Sequence, residues 1–292
     1  MIDLLGWDCL VLVGDCLQWL PEIQPGSVQL TITDPPYESL ERHRALGTTT
    51  RLKESKSSSN PWFECFCNQD YFALFAELYR VHAQNSHCYV FCDSETEHVI
   101  LSGRNPYDKK LDDALVKGPL TPRGQWTAWP TLTWLKVTRL HSTQDIPPEE
   151  VEERMVAGGM GYHWRRSTER ILFLEKGKRK LTNLGWADTL LGPKAGKADF
   201  PTQKPFAVLR RLVQNSASQD EVVLDPFMGS GSTLLTAHKL GRRAIGIEIN
   251  QDTAERTARR LSESGVRVSL MTPSGGGGQP TSLVLKSGAV ER

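Results

Sequence analysis

The chain has no CxxC pair, no long apolar run and almost no net charge. Its six cysteines, Cys9, Cys16, Cys65, Cys67, Cys88 and Cys92, are scattered, so neither a disulfide framework nor a zinc knuckle is indicated. Reduced thiols are the expectation, with no metal site. A spanning helix needs about 20 apolar residues in a row, and no run of that length occurs. The opening MIDLLGWDCL also lacks a basic segment followed by a long apolar one, so a cytoplasmic protein is expected. With a formal net charge of +1, any nucleic-acid surface has to be local. At 292 residues, one large α/β domain, or a domain with a sizeable insertion, can bury a full core.

What is present centres on two short stretches. The first is Asp34, Pro35, Pro36 and Tyr37, directly after the aliphatic and β-branched run VQLTIT. That run reads as a buried strand, so the tetrapeptide falls at its carboxyl end, where open α/β sheets carry their chemistry. Two successive prolines fix two φ angles and remove two N–H donors, which leaves a stiff loop. A carboxylate and a free carbonyl beside an aromatic ring suit gripping an amino group on a flat ring. Upstream, residues 9–13 read as a strand that turns at Gly14-Asp15, and a short helical stretch precedes Pro21. Strand, turn, helix and strand begin a βαβ pattern.

The second stretch runs from Val222 through Asp225, Pro226, Phe227, Met228, Gly229, Ser230, Gly231 and Ser232 to Thr233. It reads as a strand entering a glycine turn that opens a helix, so backbone can approach a ligand there. Residues 244–249 read as the next strand, with Glu248 at its tip. An acid at about that spacing takes both hydroxyls of a cofactor ribose. Leu234 stands where a dinucleotide fingerprint needs its third glycine, and no GK[ST] closes a P-loop. A nucleotide-dependent oxidoreductase is therefore the weaker reading. A nucleoside-bearing ligand without a tightly held pyrophosphate remains, and S-adenosylmethionine fits that description.

TDPPY followed much later by DPFMGSGST resembles the amino-methyltransferases of DNA. The order, DPPY first and the glycine turn late, is similar to their circularly permuted β class, the N4/N6 DNA methylases of prokaryotes and phages. PTQKP ahead of the glycine turn and the STERILFLEKGK segment agree. The resemblance implies a doubly wound, mostly parallel α/β sheet: a permuted Rossmann-like methyltransferase fold with an inserted target-recognition region. It implies that Phe227, Gly229, Ser230 and Gly231 line the methionine part of S-adenosylmethionine, with Asp225, Ser232 and Thr233 in the same turn. Glu248 would hold the ribose, Asp15 and Cys16 would lie near the adenine, and Thr202 and Lys204 on the other side. Asp34 and the Pro35 carbonyl would each accept one hydrogen of a base amine, and Tyr37 would stack on a base flipped out of double-stranded DNA. The resemblance also implies adenine N6 rather than cytosine N4, because the cytosine enzymes of that family more often carry Ser where this chain has Asp34. A homodimer and a cognate restriction endonuclease are further partners that such a resemblance admits.

Elsewhere the sequence divides into periodic and irregular parts. Residues 71–81 and 206–217 have helical spacing, and 87–92, 131–137 and 171–174 read as strands. Residues 38–60, with Arg42, Arg44, Arg51 and Lys53, form either a solvated loop or one that closes over a phosphate backbone. Prolines, glycines and tryptophans break the period over 102–161, the expected target-recognition insert, in which 149–157 reads as a short helix. His163, Arg165, Arg166, Lys178 and Arg179 follow it and are expected to contact phosphate. The catalytic domain is expected over residues 1–270, and 271–292 as a flexible tail.

Overall fold

A computed structural model describes residues 7–36, 66, 69–102, 120, 126–137, 167–193 and 203–272, with the backbone alone of 281–285. The expected helix at 149–157 lies outside the described residues, as does most of the 102–161 insert. The chain opens with strand β1 (Cys9–Val13), helix α1 (Cys16–Trp19), a short 3-10 turn at Leu20–Glu22 and strand β2 (Val28–Thr33). Helix α2 (Asp70–Val81), strand β3 (His82–Cys92) and helix α3 (Ser94–Ser102) follow. Strands β4 (Thr127–Val137), β5 (Thr168–Lys176) and β6 (Thr189–Pro193) make up one side of the sheet. Helix α4 (Phe206–Ser216), strand β7 (Val222–Asp225), helix α5 (Ser232–Lys239), strand β8 (Arg243–Glu248), helix α6 (Gln251–Glu263), strand β9 (Val268–Thr272) and strand β10 (Thr281–Leu285) complete it.

Among the described residues the strands form one ten-stranded sheet in the order β10-β9-β1-β8-β7-β2-β3-β5-β4-β6. Neighbours from β9 to β3 run parallel, whereas β5 is antiparallel to both β3 and β4, and β10 to β9. Both faces of the central strands are covered, and strand alternation divides the core in two. Leu10 and Leu12 of β1 pack with Tyr71, Leu74, Phe75 and Leu78 of α2. Cys9, Val11 and Val13 pack on the opposite face with Leu209 and Leu212 of α4, Leu234 of α5 and Ala258 of α6. A strand buried on both faces has to read as a continuous apolar run, which is what CLVLV does.

Several elements differ from the sequence expectation. Strand β3 starts at His82, five residues before the expected boundary, with His82 and Ser86 of its polar start buried and hydrogen-bonded. The His82 imidazole bonds Thr31 Oγ1 at 2.7 Å and Ser86 Oγ at 2.8 Å. Strand β6 arises where no strand was read from the sequence, and it pairs in parallel with β4. Helix α3 begins after Asp93, whose Oδ1 accepts the Thr96 amide at 2.7 Å. Residues 281–285, expected in a flexible tail, instead extend the sheet as β10. There they satisfy backbone groups along β9 that an edge would leave unpaired.

Candidate active site

Strands β7 and β2 lie side by side and parallel, and the next described helices along the chain, α5 and α2, pack on opposite faces of the sheet. That is the switch point of a doubly wound sheet, where a crevice opens outside the carboxyl ends of the strands. A cavity of about 390 Å³ occupies it, walled by the ends of β1, β2, β7 and β8. Asp34, Pro35 and Pro36 form one wall, and the turn after β7 forms the other.

The glycine turn is held by the two elements behind it. Gly229 has φ +44°, and a Cβ added there would meet nothing within 4 Å, so its backbone faces open space. The Gly229 amide donates to Glu248 Oε2 at 3.1 Å, and the Asn250 amide to Oε1 at 3.0 Å. Burial pushes the Glu248 carboxyl up, opposed by these two amides. From α6, Thr257 Oγ1 donates to the Gly229 carbonyl at 2.7 Å and Arg260 to the Ser230 carbonyl at 3.0 Å. Gly231, at φ +69°, caps α5 and could not carry a side chain, because a Cβ would stand 2.5 Å from Thr257 Cγ2.

Charge inside the cavity is one-sided. Asp15, Asp34, Asp70, Asp225 and Glu248 line it, and Lys204 is the one cation among the described lining residues. Such a lining favours a cationic ligand. Asp15 caps α1 by accepting the Leu17 amide at 2.9 Å, which fixes its carboxylate at the cavity rim. Burial pushes the Asp225 carboxyl up to about 7, against the Thr233 hydroxyl and the Phe227 amide. Phe66 meets Phe227 edge to face with ring centroids 5.0 Å apart, which gives the acidic cavity one apolar side.

Lys204 reaches the cavity from the segment before α4. Its Nζ lies 2.5 Å from Asp34 Oδ2 and 3.1 Å from Glu169 Oε2, above the Phe91 ring at 4.9 Å. Burial works against the ammonium charge, but the Asp34 and Glu169 carboxylates outweigh it and hold the Lys204 pKa above the usual lysine value. Glu169 is itself held by Lys136, 2.7 Å away on β4.

A family model described as DNA methylase matches residues 28–259. The chain belongs to the DNA methylase family. It is 24% identical over 265 residues to the type II methyltransferase M.HpaI of Haemophilus parainfluenzae, covering 87% of this chain and 74% of that one. Among solved structures, TTHA0409 from Thermus thermophilus, complexed with S-adenosyl-L-methionine, superposes with TM-score 0.55 at 21% identity over 91% of this chain and 98% of that chain. The cytosine-N4-specific PvuII DNA methyltransferase superposes with TM-score 0.53 at 15% identity over 87% of this chain and 86% of that chain. These likenesses establish the fold of the methylase.

Of the residues singled out in the sequence, Asp15, Cys16, Asp34, Pro35, Pro36, Lys204, Asp225, Phe227, Gly229, Ser230, Ser232, Thr233 and Glu248 all line the one cavity. Gly231 stands just behind it as the α5 cap. Tyr37, Arg42, Arg44, Arg51, Lys53, His163, Arg165, Arg166 and Thr202 lie outside the described residues. Lys178 and Arg179, expected on phosphate, follow β5 past Lys176, which pairs with Ser86 near the start of β3, at the end of the strands away from Asp34. The Arg179 guanidinium is engaged by Glu221 at 2.6 and 3.1 Å, and its amide by Glu175 Oε1 at 2.6 Å. It therefore ties β5 to the start of β7 rather than facing the cavity. The expectation missed Asp70, Phe66 and Phe91 in the wall, and Glu169 and Lys136 behind it. Phe91 and Lys136 were covered only as members of the expected strands 87–92 and 131–137, and Glu169 only within the STER segment, quoted for its likeness.

Proposed function

We propose that this methylase uses S-adenosylmethionine to methylate the N6 amine of an adenine flipped out of double-stranded DNA. The observation that carries this reading is the placement of Asp34 and Pro35 across a single acid-lined cavity from the Gly229 turn and Glu248. When bound, the cofactor supplies a methyl group on a positively charged sulfur, and the lining has the opposite charge to receive it. The fixed Glu248 carboxylate presents acceptor oxygens to ribose hydroxyls, and the open space at Gly229 lets its backbone approach the ligand.

A base amine is a poor nucleophile because its lone pair is delocalised into the ring. The Asp34 carboxylate and the Pro35 carbonyl each accept one amine hydrogen, which turns the lone pair away from the ring plane. As the nitrogen gains the methyl group it sheds one proton, and Asp34 is the carboxylate placed to take it. Holding amine and methyl in line supplies much of the rate. Tyr37, next along the chain from Pro36, stacks on the base, which has to leave the duplex to reach the cavity. Cytosine N4 offers the same two hydrogens, and Asp at position 34 is the feature that favours adenine.

Two measurements test this. Asp34→Ala abolishes transfer of labelled methyl to DNA while cofactor binding by calorimetry persists; near-normal transfer by the variant refutes the mechanism. Sequencing DNA from cells that express the chain, with readout of modified bases, returns N6-methyladenine, and N4-methylcytosine in its place overturns the choice of base.

A further inference from the structure

The acceptor carboxylate proposed for the amine does not stand alone. It ends a row of alternating charges that crosses three elements and the segment before α4: Lys136 on β4, Glu169 on β5, Lys204, and Asp34 after β2. The successive contacts are 2.7, 3.1 and 2.5 Å. Most of this row is withdrawn from water, with side-chain exposures of 15% for Lys136, 13% for Lys204 and 27% for Glu169 and Asp34. Glu169 and Lys136 do not line the cavity, whereas Lys204 and Asp34 do. The row thus begins outside the site and ends on the reacting group.

We infer that Glu169, steadied by Lys136, is a positioning residue for methyl transfer, acting through Lys204 to hold the Asp34 carboxylate in the orientation that receives the target amine. This rests on the proposed role of Asp34. Three features of the row support it. Lysine is a point charge on a flexible four-carbon stem and does not define a carboxylate direction by itself. Lys204 is located because its ammonium is shared between two carboxylates and lies over the Phe91 ring at 4.9 Å. Glu169 is located in turn by Lys136, and those two lysines outweigh its burial and keep its carboxyl below the usual range. Removing the Glu169 charge leaves Lys204 anchored to Asp34 without its second carboxylate, so the pair can swing together and the amine meets a misdirected acceptor. Displacements of about 1 Å in such a site cost up to about a hundredfold in rate.

The test measures single-turnover methyl transfer to DNA, cofactor affinity and DNA affinity for Glu169→Gln, Glu169→Asp, Lys136→Met and Asp34→Ala. Glu169→Gln lowers the transfer rate between about tenfold and about a hundredfold, with cofactor affinity and DNA affinity within about twofold. Glu169→Asp keeps the charge at shorter reach and recovers part of the rate, and Lys136→Met, at the outer end of the row, gives a smaller loss with the same split. A Glu169→Gln rate close to wild type, or a loss matched by an equal loss of cofactor affinity, overturns the inference. Should Glu169→Gln fail to fold, Lys136→Met decides on the same split, and a wild-type rate in it overturns the inference. Asp34→Ala separates the two levels: if it transfers methyl normally, the proposed function falls with the inference. If it is inactive while Glu169→Gln and Lys136→Met are normal, only the inference falls.

Discussion

Asp225→Asn is expected to make the methylase more stable and worse at binding its cofactor. The side chain is 5% exposed at the floor of the cavity, and burial raises its carboxyl from 3.8 to about 7. Between those values the folded chain holds a proton that the unfolded chain has released, so unfolding free energy falls as pH rises through the window. Each unit is worth about 1.4 kcal/mol, so the whole window comes to roughly 4 kcal/mol. The side-chain amide introduced by this substitution would keep an oxygen for the Phe227 amide, which now donates to Asp225 Oδ1 at 3.1 Å, while removing the buried charge. The stability advantage of the variant over wild type should therefore grow by roughly 3 kcal/mol between about pH 5 and pH 8. Urea denaturation of both proteins across that range measures it, and other titrating groups common to the two cancel in the difference. A difference that does not change with pH, or a variant less stable at pH 8, refutes the account. The same variant loses one of five carboxylates lining the cavity. Its affinity for a cationic cofactor should fall, and the rise in wild-type affinity as pH passes about 7 should disappear from it.

Acid should unfold the protein through its buried histidines. Burial, with Lys176 adding to it, lowers His82 from 6.5 to about 3, so stability from this site is present above pH 6.5 and is lost as pH falls below it, by roughly 1.4 kcal/mol per unit. His82→Gln should cut the acid slope of unfolding free energy by about one proton. Arg179→Ala, which breaks the two contacts to Glu221, should cost about 1–2 kcal/mol in denaturant melts with unchanged DNA affinity; a weakened affinity would return Arg179 to the DNA surface. Gly229→Ala should cost about 1–2 kcal/mol of strain at its positive φ and weaken cofactor binding, since a methyl group enters the open space there. Gly246→Val should lower the melting temperature by overpacking, because a Cβ at that position stands 2.5 Å from Met228 Sδ and 2.8 Å from Leu234 Cδ2.

The strands around the site were legible because the sheet is buried on both faces there and leaves unbroken apolar runs such as CLVLV. Elements at its margins were not. The start of β3, HAQNS, is polar and shows no strand pattern, and the partners of His82, Thr31 and Ser86, are set by the fold. Strand β6, TLLGP, is too short and too glycine- and proline-rich to show a period, and takes its form from pairing with β4. The placing of basic residues was hidden for a related reason: charge in sequence does not say which end of a sheet it reaches, and Arg179 reaches the end occupied by Glu221.

By itself the sequence determined the two chemical halves of the site. DPPY owes its stiffness to covalent geometry, and the glycine turn owes its shape to the absence of side chains, so both are local properties that survive in any fold. Only the tertiary structure decided how they meet and what stands behind them. Lys204 and Asp34 are 170 positions apart, and Glu169 looks like any residue of an alternating strand. The order of strands in the sheet brings these charges within hydrogen-bond reach, in a row that ends on the Asp34 carboxylate and is largely withdrawn from water.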